Sequence, residues 1–114
     1  MHELSIATNI VRIAEREAAH AGASTITGVR LRIGALSGVV RDALEFAFDV
    51  ATEGTMLEGA ALTIEDVPVV VYCPDCDAEH ELPSPNRFRC PACDARTGDI
   101  RQGRDLDIVS LEIN

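Results

Sequence analysis

Four cysteines, Cys73, Cys76, Cys90 and Cys93, stand in the pattern C-x2-C-x13-C-x2-C. Two residues between thiolates leave a turn tight enough for both sulfurs to meet one ion, and the joining segment is long enough to bring the second pair back onto it. The pairs belong to a short repeat, in which Cys73-Pro74-Asp75-Cys76-Asp77-Ala78 recurs as Cys90-Pro91-Ala92-Cys93-Asp94-Ala95. Proline after the first cysteine of each pair fixes the turn. A thioredoxin-like dithiol needs one such pair, so the duplicate points to a tetrahedral metal site. Four sulfurs leave no open position for water, which suits structural Zn(2+). Iron fits the same ligands and would make the chain a small electron carrier. Structural zinc commonly adds an apparent ~10–16 kcal/mol to folding at neutral pH.

The three histidines are His2, His20 and His80. His2 sits beside the terminal amine of Met1, so amine, imidazole and deprotonated backbone amides lie close together. Planar nitrogen-rich sets of that kind select Ni(II) or Cu(II), and Glu3 adds an adjacent carboxylate; a frayed chain end is the plain alternative. His20 reads as a solvent-facing residue at a helix C-terminus. His80, four residues after Cys76, is either a surface histidine of the cysteine segment or an exchangeable ligand and pH sensor beside it.

Around these groups the hydrophobic pattern changes period. From Glu3 to about Ala21, Leu4, Ala7, Val11, Ala14, Ala18 and Ala21 recur at helical steps, and Gly22 is a natural stop. Thr25 to Gly34 alternates, with Val29, Leu31 and Ile33 opposite Arg30 and Arg32, as a half-buried strand does. A second helix is expected over Arg41–Thr52, carrying Leu44, Ala47, Phe48 and Ala51. Met56 and Leu57 fill core within a connector punctuated by Gly54 and Gly59. Ala61 to Tyr72 reads as one strand interrupted at Pro68, an edge or a bulge. Leu106–Ile113 is the last strand, and its parity shift at Ile108 and Val109 predicts a bulge or burial on both faces.

Residues 73–104 hold all four cysteines, four of the five prolines and few large aliphatics, so almost no core of their own is expected. The fold class is α+β: two helices packed on a three-stranded sheet, with an inserted four-cysteine zinc module. The division predicted is residues 1–72 plus 105–114 as an α+β nickel-binding domain and 73–104 as the zinc-binding module.

Composition narrows the function. The 114 residues carry a formal net charge of −9, are 4 % aromatic and contain no Trp. That argues against nucleic acid, whose phosphates call for a basic surface. The Val67–Tyr72 apolar run is too short for a membrane span. Met1-His2-Glu3 opens no signal peptide, which makes the cytoplasm the expected location and leaves the thiols reduced. None of the serines has a G-x-S-x-G setting and no Gly-rich phosphate loop is present, so the chain reads as no enzyme.

Met1-His2-Glu3-Leu4-Ser5, the following helix, the strand ending Arg32-Ile33-Gly34 and the doubled CxxC near the C-terminus together resemble the HypA/HybF family over essentially the whole chain. These are nickel metallochaperones for maturation of nickel–iron hydrogenases. The resemblance implies one Ni(2+) bound through the Met1 amine, His2 and the Glu3 backbone, apart from a structural Zn(2+). It also implies a hydrogenase-maturation GTPase as partner and the nickel–iron hydrogenase large subunit as recipient. Some members add a carboxylate after the first strand; the nearest here is Asp42, with Val40 the other occupant of that place, and a helix N-terminal charge also accounts for Asp42. The competing reading is a zinc-stabilised protein-interaction adaptor without transferable nickel.

Overall fold

The structure, a computed structural model, describes residues 2–114. Its elements are α1 (His2–His20), β1 (Ile26–Gly34), α2 (Arg41–Ala51), β2 (Ala61–Val67), β3 (Val70–Cys73), β4 (Ala78–Glu81), β5 (Ile100–Gln102) and β6 (Leu106–Ile113). Two helices and two three-stranded sheets, ordered β2-β1-β6 and β4-β3-β5, make the chain α+β. No helix among the described residues is long and apolar enough to cross a membrane.

By compactness the chain divides into two units, one taking in the chain up to Leu31, Val39–Ile64 and Ile108–Asn114, the other Arg32–Gly38 and Glu65–Asp107. In the first, α1 buries Ala7, Ile10, Val11, Ala14 and Ala18, the stripe expected from their spacing. Gly22, at φ +74, ends it. There the N–H groups of Ala23 and Gly22 return to the carbonyls of Ala18 and Ala19, which satisfies acceptors that a helix end otherwise leaves open. α2 packs against α1 and buries Leu44, Ala47 and Phe48. Leu57 in the connector is fully buried, and a fully buried leucine contributes about 1.5–3 kcal/mol. The connector is tied down where Met56 donates its N–H to the Glu15 carboxylate of α1 at 3.1 Å and accepts the N–H of Ile26 at 2.9 Å.

In the second unit, Val69, Val71 and Leu82 form a small buried cluster flanked by Leu36 and Ile100. β3 pairs antiparallel with β4, Val71 opposite His80 and Cys73 opposite Ala78, and on its other side with β5. The loop after β1 meets the chain before β6 backbone to backbone. A Cβ on Gly34 would stand 2.3 Å from the Gly103 carbonyl, and the N–H of Leu36 donates to that carbonyl at 2.8 Å.

Two expectations change. The strand expected over Ala61–Tyr72 is two strands in two different sheets, because Pro68 has no N–H for a ladder and the chain turns away there. Residues 73–104 add Leu82, Cys73 and Cys90 to the buried set but make almost no core of their own. The cluster around Leu82 is completed by Val69, Val71 and Leu36, all of which precede the segment. Finally, β6 is not buried on both faces: Leu106, Ile108 and Leu111 are half-buried, whereas Val109 and Ser110 are consecutively exposed.

Candidate metal centre

The four cysteines come from two hairpin tips. Cys73 ends β3, Ala78 opens β4, and the two residues pair across the tip that contains Cys76. The second tip repeats this on a smaller scale. The N–H of Cys90 donates to the Ala95 carbonyl at 2.8 Å, the N–H of Asp94 to the Cys90 carbonyl at 2.8 Å, and Arg89 pairs with Arg96 in an isolated antiparallel bridge. Asp77 and Asp94, at equivalent places in the sequence repeat, both take the left-handed conformation, at φ 50 and 62. Each is also tied by its side chain. Asp77 accepts the Tyr72 hydroxyl, and Asp94 receives Arg87 at 3.1 Å and Arg89 at 3.7 Å.

These turns bring the four sulfurs within 4.8 Å of one another. Cys73 Sγ lies 3.6 Å from Cys93 Sγ, and Cys76 Sγ lies 3.8 Å from Cys90 Sγ. Those gaps are too long for disulfides. A tetrahedron of ~2.3 Å metal–sulfur bonds has edges of about 3.8 Å, so the four sulfurs can hold one metal ion. Cys73 and Cys90 are buried and Cys76 and Cys93 exposed. Protons are unevenly held within the set. Burial raises Cys90, but the N–H groups of Cys93 and Ala92 outweigh it and lower its pKa to about 6. The thiols of Cys93 and Cys90 push Cys76 up to about 12. Cys93 is also raised: the Ala95 N–H and the Cys76 thiol lower it, but the Cys73 and Cys90 thiols and burial prevail.

Around the first tip runs a polar brace. Arg101 stacks 4.7 Å from the centroid of the Tyr72 ring and pairs with Asp99 at 2.9 Å, while Thr97 donates its hydroxyl to the Tyr72 carbonyl. His80 is on β4 opposite Val71. It is outside the converging set, and its Nε2 is enclosed with no hydrogen-bond partner among the described residues.

His2 and Glu3 open α1; Met1 lies outside the described residues. The Glu3 carboxylate is 3.6 Å from His2 Nδ1 and accepts the Val40 N–H at 3.2 Å. Val40 is the N-cap of α2 and makes no side-chain cap of its own, so Glu3 supplies negative charge to that helix end from another element. The Val40 N–H, followed by the residue's own N–H, holds the Glu3 carboxyl below its ordinary value. Asp42 is exposed in the first turn of the same helix. The brace from Glu3 to Val40 escapes sequence reading, although the absence of Ser, Thr, Asp or Asn just before Arg41 is a sign that α2 must be capped from elsewhere.

A sequence profile described as hydrogenase/urease nickel incorporation, metallochaperone, hypA, matches residues 1–113. The chain belongs to the HypA family. A hydrogenase maturation factor HypA of Chloroflexus aurantiacus is 62 % identical over 112 residues, covering 98 % of each chain. One from Picosynechococcus is 42 % identical over 113 residues, covering 99 % of each. The solution structure of the Ni metallochaperone HypA from Helicobacter pylori matches with a TM-score of 0.70 and 26 % identity, over 97 % of this chain and 96 % of that one. A second HypA solution structure gives 0.74 and 27 %, over 100 % and 97 %. Hydrogenase maturation and nickel incorporation are therefore the setting of this HypA chain, with a four-cysteine site that can hold a metal.

Proposed function

We propose that this chain carries nickel: it takes up one Ni(2+) through the Met1 amine, His2 and the Glu3 backbone. It then passes the ion on, together with a partner GTPase, during maturation of the nickel–iron hydrogenase large subunit. It acts in the cytoplasm, catalyses no reaction itself and binds neither nucleic acid nor membrane. Residues 1–72 plus 105–114 are the nickel-binding domain, and 73–104 the module in which Cys73, Cys76, Cys90 and Cys93 hold a structural Zn(2+). His80 modulates the zinc module, and Asp42 the nickel site.

Family membership over residues 1–113 carries the reading. Two physical points support it. The first N–H groups of an α-helix have no acceptor within the helix, so the amides of His2 and Glu3, at the start of α1, can release their protons to solvent as a metal binds without breaking a helical bond. The Glu3 carboxylate is meanwhile engaged by the Val40 N–H, which favours the Glu3 backbone over its side chain as donor. For the cysteines, a closed set of four soft thiolates at tetrahedral spacing suits zinc and leaves no coordination site for exchange.

A second reading, a zinc-stabilised adaptor, is favoured by Phe46 and Val50, which are 73 % and 48 % exposed one turn apart on α2. Metal content by mass spectrometry separates the two, measured on untagged wild type and His2→Ala after nickel loading and desalting. The carrier requires one zinc in both proteins and one nickel in wild type alone. One zinc without His2-dependent nickel would leave the adaptor.

A further inference from the structure

Arg87, Arg89 and Arg96 line one concavity of about 510 Å³, whose remaining wall includes Phe88, Thr97 and Gly98. Arg89 and Arg96 face each other across the bridge that closes the second cysteine turn. Side chains so opposed stand about 4.5–5.5 Å apart at Cβ, where like charges repel. Asp94 answers Arg87 and Arg89, while Arg96, exposed, makes no ion pair among the described residues. Three guanidinium groups against one carboxylate leave a positive surplus in a chain of formal net charge −9.

Metal-bound thiolates account for only part of that surplus. Arg87 and Arg89 also line the neighbouring concavity with Cys90 and Cys93, where their charge offsets that of the sulfurs, but Arg96 is not part of that lining. A single carboxylate, as Asp94 demonstrates, reaches two of the guanidinium groups. A phosphoryl group offers three acceptor oxygens and about −1.5 to −2 of charge at neutral pH, and guanidinium forks match it geometrically. We infer that Arg87, Arg89 and Arg96 form an anion site for a phosphoryl group, either free phosphate or one carried on a nucleotide. The part of the concavity walled by Phe88, Thr97 and Gly98 gives room for the carrier. Binding, not hydrolysis, is the inference, and it does not depend on the nickel reading.

The test is a titration of the isotopically labelled full chain, purified with its metal. Inorganic phosphate, ATP and a hexaglutamate peptide are added in turn at an ionic strength fixed with sodium chloride. Resonances of Arg87, Arg89, Arg96, Thr97 and Gly98 are followed in wild type and Arg96→Gln. Expected are saturable shifts with phosphate and ATP, at least tenfold weaker binding in Arg96→Gln, and unchanged metal content and melting temperature in that variant. Equal affinity for phosphate and ATP assigns the site to free phosphate. Tighter ATP binding with movement of the Phe88 ring assigns it to a nucleotide-borne group. The site is refuted by shifts that sodium chloride alone reproduces, shifts that accompany metal loss, undiminished binding by Arg96→Gln, or hexaglutamate binding tighter than both phosphates.

Discussion

Glu3 joins two parts of the chain that are 37 residues apart in sequence, through one hydrogen bond to Val40. Because its pKa is lowered from 4.5 in the fold, the ionised form is the one the native state favours. Its contribution is fully present above the ordinary value and is lost as pH falls through the lowered one. The Val40 amide resonance should therefore titrate with a midpoint below 4.5, and Glu3→Gln should remove that titration; a midpoint at or above the ordinary value would contradict the brace. Asp94 poses a backbone question as well as a charge question. At φ 62 a residue with a Cβ is strained by roughly 1–2 kcal/mol, which glycine escapes. Both Asp94→Gly and Asp94→Ala lose the carboxylate that pairs with Arg87 and Arg89 and keep the carbonyl that accepts from Arg89, but only the alanine retains the strain. By urea unfolding of the metal-bearing protein, Asp94→Ala should be the less stable of the two by about 1 kcal/mol.

Among the elements, Gly34 is the position with least freedom, since a Cβ there would meet the Gly103 backbone rather than a side chain that can move. Gly34→Ala should cost about 1–3 kcal/mol, seen as a lower urea midpoint with an unchanged slope; wild-type stability would show that the two loops can part without penalty. The sequence displays Gly34 only as the end of an alternating strand, and its partner Gly103 is too distant for any periodicity to connect them. The same limit explains which elements were legible. α1, α2 and β1 announce themselves through long runs of one period. β4, Ala-Glu-His-Glu, and β5, Ile-Arg-Gln, are too short and polar to show one. The convergence of the cysteines was readable because ligand spacing encodes it directly, with the repeat around them. The tie from Glu3 to Val40 and the Arg89–Arg96 bridge have no such local signature.

Taken as a whole, the molecule distributes its apolar burial unevenly. The first unit includes the fully buried Ile26, Leu31, Leu44, Phe48 and Leu57. The second has the small cluster of Val69, Val71 and Leu82, and so few buried groups give little stability without a cross-link or a metal. Removing metal with a chelator should therefore speed amide exchange through β3, β4 and β5 while α1 and α2 keep their protection, as read by hydrogen-exchange mass spectrometry. Equal loss in both units would mean that the first depends on the metal as well. A practical consequence follows from Tyr72, the ring held between Asp77 and Arg101. It is the one tyrosine of a chain that has no tryptophan, and it adjoins Cys73. The tyrosine absorbance and fluorescence of this protein thus watch a single cysteine turn. An unravelling of α1 would leave them dark, whereas disturbance of that turn would register at once.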